Sequence, residues 1–297
     1  MRFSVNPAHH SAHDHERGTL LLIGGAEDKV GGRTILNRFV RLAGGHSARI
    51  AVIATASAYY DWVGQRYMSL FHSLGAARVE VVKLRDRVEA MQPEALRQLD
   101  AASGIFVTGG DQLKLTATMG GTPVARKIRE RHRAGAVFAG TSAGASVASE
   151  HMMAYGVSGA PPRRAMMQFA PGLGLISGVV VDQHFGARGR TGRLMTAVAH
   201  NPDLLGVGLD EDTAVEIRPD GVLSVLGRGS VMIVDGSHMT HTDIHHIPDH
   251  SPLTVFGMLV HVLSNGYLYD IAARAPHQPN EPPVFEQETE GLSGEGI

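Results

Sequence analysis

From Thr19 onward, short apolar runs alternate with longer amphipathic stretches. The runs are "TLLLI", "RIAVIA", "GIFVT", "AVFA" and "GVVVD", and between them lie segments such as "GGRTILNRFVRLAG" and "DWVGQRYMSLFHSLG". A strand covered by helices on both sides is apolar on both faces, so it reads as a continuous hydrophobic run. The repeated order of strand, helix and strand predicts an α/β domain on a mostly parallel sheet. The 297 residues, 43% of them hydrophobic, are enough to bury a substantial core. After Leu209 the pattern changes. "AVEIRPDGVLSVLG" and "GSVMIVDGS" alternate and turn at Asp-Gly, which predicts hairpins. A smaller antiparallel portion is expected to join the sheet there, with "FGMLVHVLSNG" as its closing element.

The ends of the chain have a different composition. Residues 1–18 are polar and rich in histidine, and residues 272–297 are rich in Pro, Glu and Gly; both are expected to be disordered. The folded domain is expected over 19–271. A net charge of -2 provides no global field for nucleic acid or an anionic membrane. The chain has no cysteine, which excludes disulfides, a thiol nucleophile and thiolate-bound metal. The first apolar run, Leu20 to Ile23, is too short for a signal peptide or a membrane span, so a cytoplasmic location is expected.

In an open parallel sheet, ligands bind beyond the carboxyl ends of the strands. The residues that follow the apolar runs are therefore expected to share one edge: Gly24, Gly25, Gly109, Gly110, Gln112, Ser142 and His184. Gly140-Thr141-Ser142-Ala143-Gly144 fits G-x-S-x-G, a turn that lifts a serine out of the backbone between a strand and a helix. The N–H groups of Ala143 and Gly110 could then form an oxyanion hole. The plainer alternative is a tight junction made of small residues.

A serine nucleophile needs a base. His151, nine positions after Ser142 on what reads as the same helix, would lie ~13 Å away along the axis. His46 and His132 precede strands, at the opposite edge, and His72 and His200 sit late in helical stretches. His184 follows a strand at the correct edge. An acid to orient it is available in "GVGLDEDTAVEI" as Asp210, Glu211 or Asp212, and spacing does not choose among them. The order serine, histidine, acid differs from that of the α/β-hydrolases. Arg188, Arg190 and Arg193 follow the histidine and suit recognition of carboxylates. "HHSAHDH" and "SHMTHTDIHHIPDH" are dense in histidine but irregularly spaced, and are taken as surface histidine rather than a metal site. "GGAEDK" lacks G-x-G-x-x-G, so no dinucleotide is expected, and no metal or organic cofactor is required.

The segments "GIFVTGGDQLKL", "FAGTSAGASVAS", "GLGLISGVVVDQHFGARGRTGRL" and "NPDLLGVGLDEDTAVEI" resemble, in order, those of the cyanophycinases. These are serine peptidases grouped with the peptidase E-type α-aspartyl dipeptidases, and the likeness runs from about Thr19 to Ile271. The resemblance implies a class I glutamine amidotransferase-like α/β sandwich, usually a homodimer. It implies Ser142 as nucleophile, His184 as base and Glu211 as acid. It also implies a substrate pocket containing Gln112, Asp182, Gln183, Arg188, Arg190 and Arg193. The implied substrate is cyanophycin, a poly-aspartate whose side chains carry arginine through isopeptide bonds, cleaved to β-Asp-Arg dipeptides. In that pocket the arginines are expected to hold carboxylates and acids such as Asp182 the guanidinium. An α-aspartyl dipeptidase and a catalytically silent binding protein are the alternatives on the same fold.

Overall fold

The structure, a computed structural model, describes residues 17–159 and 161–279. Residues 1–16 and 280–297, most of the expected extension and tail, lie outside the described residues.

The first half of the chain builds the parallel sandwich. Its elements are β1 (Leu20–Ile23), α1 (Thr34–Leu42), β2 (Arg49–Ile53), α2 (Tyr60–Ser73), β3 (Arg78–Val81), α3 (Pro93–Asp100), β4 (Gly104–Val107), α4 (Gln112–Met119), α5 (Pro123–Arg133) and β5 (Val137–Thr141). The strands lie in the order β1-β5-β4-β2-β3, all parallel. Successive strand residues point to opposite faces, and the core divides accordingly. Leu20, Leu22, Ile105 and Val107 face one cluster with residues of α3, α4 and α5. Leu21, Ile23 and Phe106 face another with α1 and α2, where the rings of Phe39, Tyr67, Phe71 and Phe106 lie 4.7–5.9 Å apart. Both faces are therefore covered, which is why these runs are unbroken. The Asp111 carboxylate accepts the Leu113 and Lys114 N–H groups and fixes the start of α4, just beyond Gly109 and Gly110.

The second half departs from the expected layout. It comprises α6 (Ala143–Ser146), the hairpin β6 (His151–Gly156) and β7 (Met167–Pro171), β8 (Val179–Asp182), α7 (Thr191–His200), β9 (Leu205–Leu209), β10 (Thr213–Ile217), β11 (Val222–Gly227), β12 (Val231–Asp235), β13 (His241–Thr242), β14 (Val255–Phe256), β15 (Leu259–Leu263), β16 (Leu268–Asp270) and β17 (Ala275–His277). The antiparallel strands β10, β11, β16 and β17 extend the main sheet from β1 to nine strands. The run "GVVVD" is not part of that sheet. β10 occupies the free side of β1, so β8 pairs instead with β9, parallel through the crossover α7, in a second sheet of order β15-β12-β9-β8. "GSVMIVDGS" and "FGMLVHVLSNG" also belong to this second sheet, as β12 and β15.

Two boundaries move. The helix after Ser142 ends at Ser146, because the Val147 and Ala148 carbonyls are taken by the N–H groups of Leu173 and Leu175, and His151 begins a strand instead. Ordered structure also continues past Ile271: β17 pairs with β16, and Arg274 pairs with the buried Asp235.

His132, buried at the end of α5 with its Nδ1 3.2 Å from the Ala136 carbonyl, tests the packing of this layer. Burial pushes its pKa from 6.5 down to about 4. Between those values the unfolded chain binds more protons, so folding stability falls as pH is lowered, by an amount on the order of 3 kcal/mol. Thermal melts between pH 7 and pH 4.5 should show a steeper loss for the wild type than for His132→Gln. Parallel losses in the two proteins would contradict this account.

Candidate active site

Ser142 sits where β5 gives way to α6, at φ 53° and ψ -113°. A non-glycine residue there costs roughly 1–3 kcal/mol and persists only when its surroundings hold it. The Ser142 N–H donates to the Ile23 carbonyl at 2.9 Å, and its own carbonyl accepts from Ala145 and Ser146. The flanking glycines serve close approach: a Cβ on Gly140 would lie 2.0 Å from the Gly144 carbonyl oxygen, and one on Gly144 would lie 2.1 Å from that of Val107.

His184 reaches the serine from the second sheet. It lies two residues beyond β8, at φ 49°, and its N–H donates to the Gly24 carbonyl at 2.8 Å. Its Nε2 is 3.0 Å from Ser142 Oγ, and its Nδ1 is 2.6 Å from Glu211 Oε1. A carboxylate at Nδ1 selects the tautomer with its proton there, leaving the Nε2 lone pair free to accept from the serine hydroxyl.

Of the three adjacent acids, Glu211 alone meets the imidazole. Asp210 accepts from the Gly186 N–H and from the Ser230 N–H and hydroxyl, and so ties three segments together. Asp212, at φ 47°, accepts the Asp28 N–H at 2.8 Å. The alternation around this turn puts the middle side chain on the histidine, a choice that spacing alone did not make.

The glycines after β4 stand beside the serine. A Cβ on Gly109 would lie 3.1 Å from Ser142 Cβ, and one on Gly110, at φ 144°, would lie 2.1 Å from the Ala56 carbonyl oxygen. The Ala143 N–H is the first of α6, one of the donors a helix leaves without an internal partner.

Around Ser142 opens a cleft of about 400 Å³, whose lining includes Gln112, Gln183, Arg188 and Arg190. Gln112 is held by a hydrogen bond from its Nε2 to the Ala154 carbonyl at 3.0 Å. The structure alters the expected division of charge. Asp182 is 1% exposed and accepts from both Arg193 and Arg190, so it is not available for a guanidinium from outside. Arg193 is equally committed, since it also donates to the Gly156 carbonyl at 2.9 Å. Arg190 donates to Asp182 and Gln183, yet its buried Nε has no partner. Burial lowers its pKa to about 10, against the favourable pull of Asp182. Arg188 is exposed at the cleft: its backbone N–H donates to the His184 carbonyl at 3.0 Å, and its guanidinium makes no hydrogen bond or ion pair among the described residues.

Sequence reasoning missed Glu27. It lies within "GGAEDK", after a strand at the correct edge. Its carboxylate is 3% exposed and accepts from the Tyr67 hydroxyl and from Thr141 Oγ1 at 2.6 Å, and it pairs with Lys29 at 3.0 Å. It thus pins the loop after β1 to the residue before Ser142. Among the described residues, no group of three or more His, Asp or Glu side chains could hold a metal ion, and no helix is long and apolar enough to cross a membrane.

The hydrogen-bond chain depends on Gly25, because a Cβ there would lie 2.4–2.5 Å from the His184 ring and the residue has φ 102°. Gly25→Ala should displace the imidazole and slow the reaction of Ser142 with a serine-directed phosphonate about 100-fold. Labelling at the wild-type rate would show that the ring does not rest on this glycine.

Comparison with known proteins gives the family. The model of peptidase family S51 matches residues 20–225. A cyanophycinase from Trichormus variabilis is 47% identical over 256 residues, 86% of each chain. A cyanophycinase from Synechococcus elongatus is 41% identical over 284 residues, covering 94% of this chain and 88% of its own. The solved structure of a peptidase from an acI-B1 Actinobacterium superposes with a TM-score of 0.64 at 24% identity, over 86% of this chain and 98% of that one, which shows a shared fold. With the α/β sandwich, the serine beside β5 and more than 40% identity to two cyanophycinases over most of its length, the chain belongs to peptidase family S51.

Proposed function

We propose that this protein is a serine exopeptidase that hydrolyses cyanophycin to β-Asp-Arg dipeptides. The observation that carries the reading is the chain from Ser142 Oγ through His184 to Glu211, at 3.0 and 2.6 Å, at the floor of a cleft bordered by Arg188 and Arg190. The names of its relatives supply the polymer.

The chemistry is acyl transfer. Ser142, on a nucleophile elbow, attacks the aspartyl backbone carbonyl as its proton passes to His184 Nε2. Glu211 holds the Nδ1 proton and stabilises the imidazolium. The N–H groups of Ala143 and Gly110 bind the oxyanion. His184 then protonates the leaving amine, and water, activated by the same imidazole, hydrolyses the acyl-enzyme. No cofactor enters this scheme. Arg188, whose guanidinium has no partner among the described residues, meets a carboxylate of the substrate. Asp182 and Gln183 hold Arg190 in place, Arg193 shares Asp182 with it, and Gln112 forms the wall beside β6. The catalytic unit is residues 19–271 with β17 added, it is cytoplasmic, and it has no nucleic-acid partner.

A homodimer is part of the same reading. β15 lies at the edge of the second sheet, its outer side unpaired among the described residues, with Val260 and Val262 exposed. Unpaired apolar edges invite another strand. Leu259-Val260-His261-Val262-Leu263 reads alike in both directions. Antiparallel pairing of two copies about His261 therefore sets valine against valine across a two-fold axis.

Two measurements test these statements. Purified protein incubated with insoluble cyanophycin should release β-Asp-Arg, detected by mass spectrometry, while Ser142→Ala releases none. Cleavage of α-aspartyl dipeptides without attack on the polymer would move the function to a dipeptidase. Inertness toward both would indicate a binding protein. For the dimer, light scattering should give twice the chain mass for the wild type and the monomer mass for Val262→Lys. A variant that remains dimeric removes this edge from the interface.

A further inference from the structure

We propose that Trp62 is a binding seat for a guanidinium group of the substrate, the surface on which an arginyl side chain of the polymer stacks. The inference rests on the proposed function, which gives the substrate its arginyl groups.

The argument begins with the acids. A guanidinium would ordinarily be met by a carboxylate, but Glu27, the acid among the residues that line the cleft, is already engaged, and so are the acids of the catalytic and arginine clusters beside it. Glu27 accepts from Tyr67 and Thr141 and pairs with Lys29. Asp182 carries Arg190 and Arg193. Glu211 is bound to His184, and Asp61, next to Trp62 in sequence, pairs with Arg85 at 2.6 Å. Each repeat of the proposed polymer brings both a carboxylate and a guanidinium. Arg188 answers the first, and among the residues that line the cleft no free acid answers the second.

An aromatic face is the remaining means of holding a planar cation. Trp62, in the first turn of α2, lines the same cleft as Ser142. It is 62% exposed, a large apolar surface left in water at the mouth of the site. It already takes part in one such contact: the guanidinium of Arg66, one helical turn on, lies 5.2 Å from the ring centroid. Because the indole is neutral, it can accept a cation beside Arg66 and Arg188, where a buried carboxylate would be claimed by either of them. Trp62 would thus select arginine-bearing units, while the groups around Ser142 determine which bond is cut.

The chain contains a single tryptophan, so its fluorescence reports on this seat alone. Two soluble oligomers of the same aspartate backbone would be compared, one carrying arginine and the other carrying citrulline, its uncharged isostere. Trp62→Ala should raise KM for the arginyl oligomer roughly 3- to 10-fold, a larger rise than for the citrulline oligomer, and Trp62→Phe should restore part of the loss. In the Ser142→Ala protein, the arginyl oligomer should quench the tryptophan emission more strongly than the citrulline oligomer does. An equal rise in KM for the two oligomers, or no rise, overturns the proposal. If the wild type cleaves neither oligomer, the functional reading fails, and the Ser142→Ala titration still decides the seat. Selective quenching by the arginyl oligomer then supports it, and equal or absent quenching overturns it.

Discussion

Three successive carbonyls organise the site. Those of Ile23, Gly24 and Gly25 accept the N–H groups of Ser142, His184 and Asp212 at 2.9, 2.8 and 2.9 Å. The first two are the serine and the histidine themselves, and the third is the neighbour of Glu211. The main chain as β1 ends therefore sets the spacing of three segments that are distant in sequence. Backbone geometry is stiff, so this arrangement does not depend on side-chain rotamers. It also explains the pair of glycines: a Cβ on Gly24 would lie 1.9 Å from the Asp210 carbonyl oxygen, and one on Gly25 would overlap the imidazole.

The same junction joins two sheets. The serine comes from the parallel sheet, the histidine from the end of β8 in the second sheet, and Glu211 from the turn between β9 and β10, where the chain passes from one sheet to the other. Positive φ values at Ser142, His184 and Asp212 mark this convergence. Each such residue is unfavourable alone, and each is retained by a hydrogen bond to the main chain where β1 ends. Glu27 closes the arrangement by tying that loop to Thr141. Strain and restraint thus occur at the same residues, which is what holds the serine and the imidazole in register without substrate.

The parallel sandwich was legible in the sequence because burial on both faces leaves an unbroken apolar run, as in Leu20–Ile23 and Gly104–Val107. The positions of Ser142 and His184 were legible because strand ends are marked by small residues. Strand partners were not legible: "GVVVD" has the same composition as a strand of the main sheet, and nothing in it specifies β9 rather than β1 as its neighbour. The choice among Asp210, Glu211 and Asp212 depended on the direction of each side chain in one turn. Glu27 was hidden for a different reason. A carboxylate buried by Tyr67, Thr141 and Lys29 has partners spread over more than a hundred residues, and local sequence carries no trace of them.

The arginine trio shows how a pattern can be read correctly as charge and incorrectly as availability. Three guanidiniums at the start of α7 face the positive end of a helix, and so many cations could not be buried there unpaired. Asp182, at the end of β8, offsets two of them: Arg193 through both carboxylate oxygens and Arg190 through one. What remains is an excess of positive charge beside the serine, at Arg188 and at the partly satisfied Arg190. A cleft with that balance is electrostatically suited to carboxylates rather than to cations. The aspartate that completes the arginine pattern therefore decides which of the three guanidiniums stays available, and it leaves Arg188.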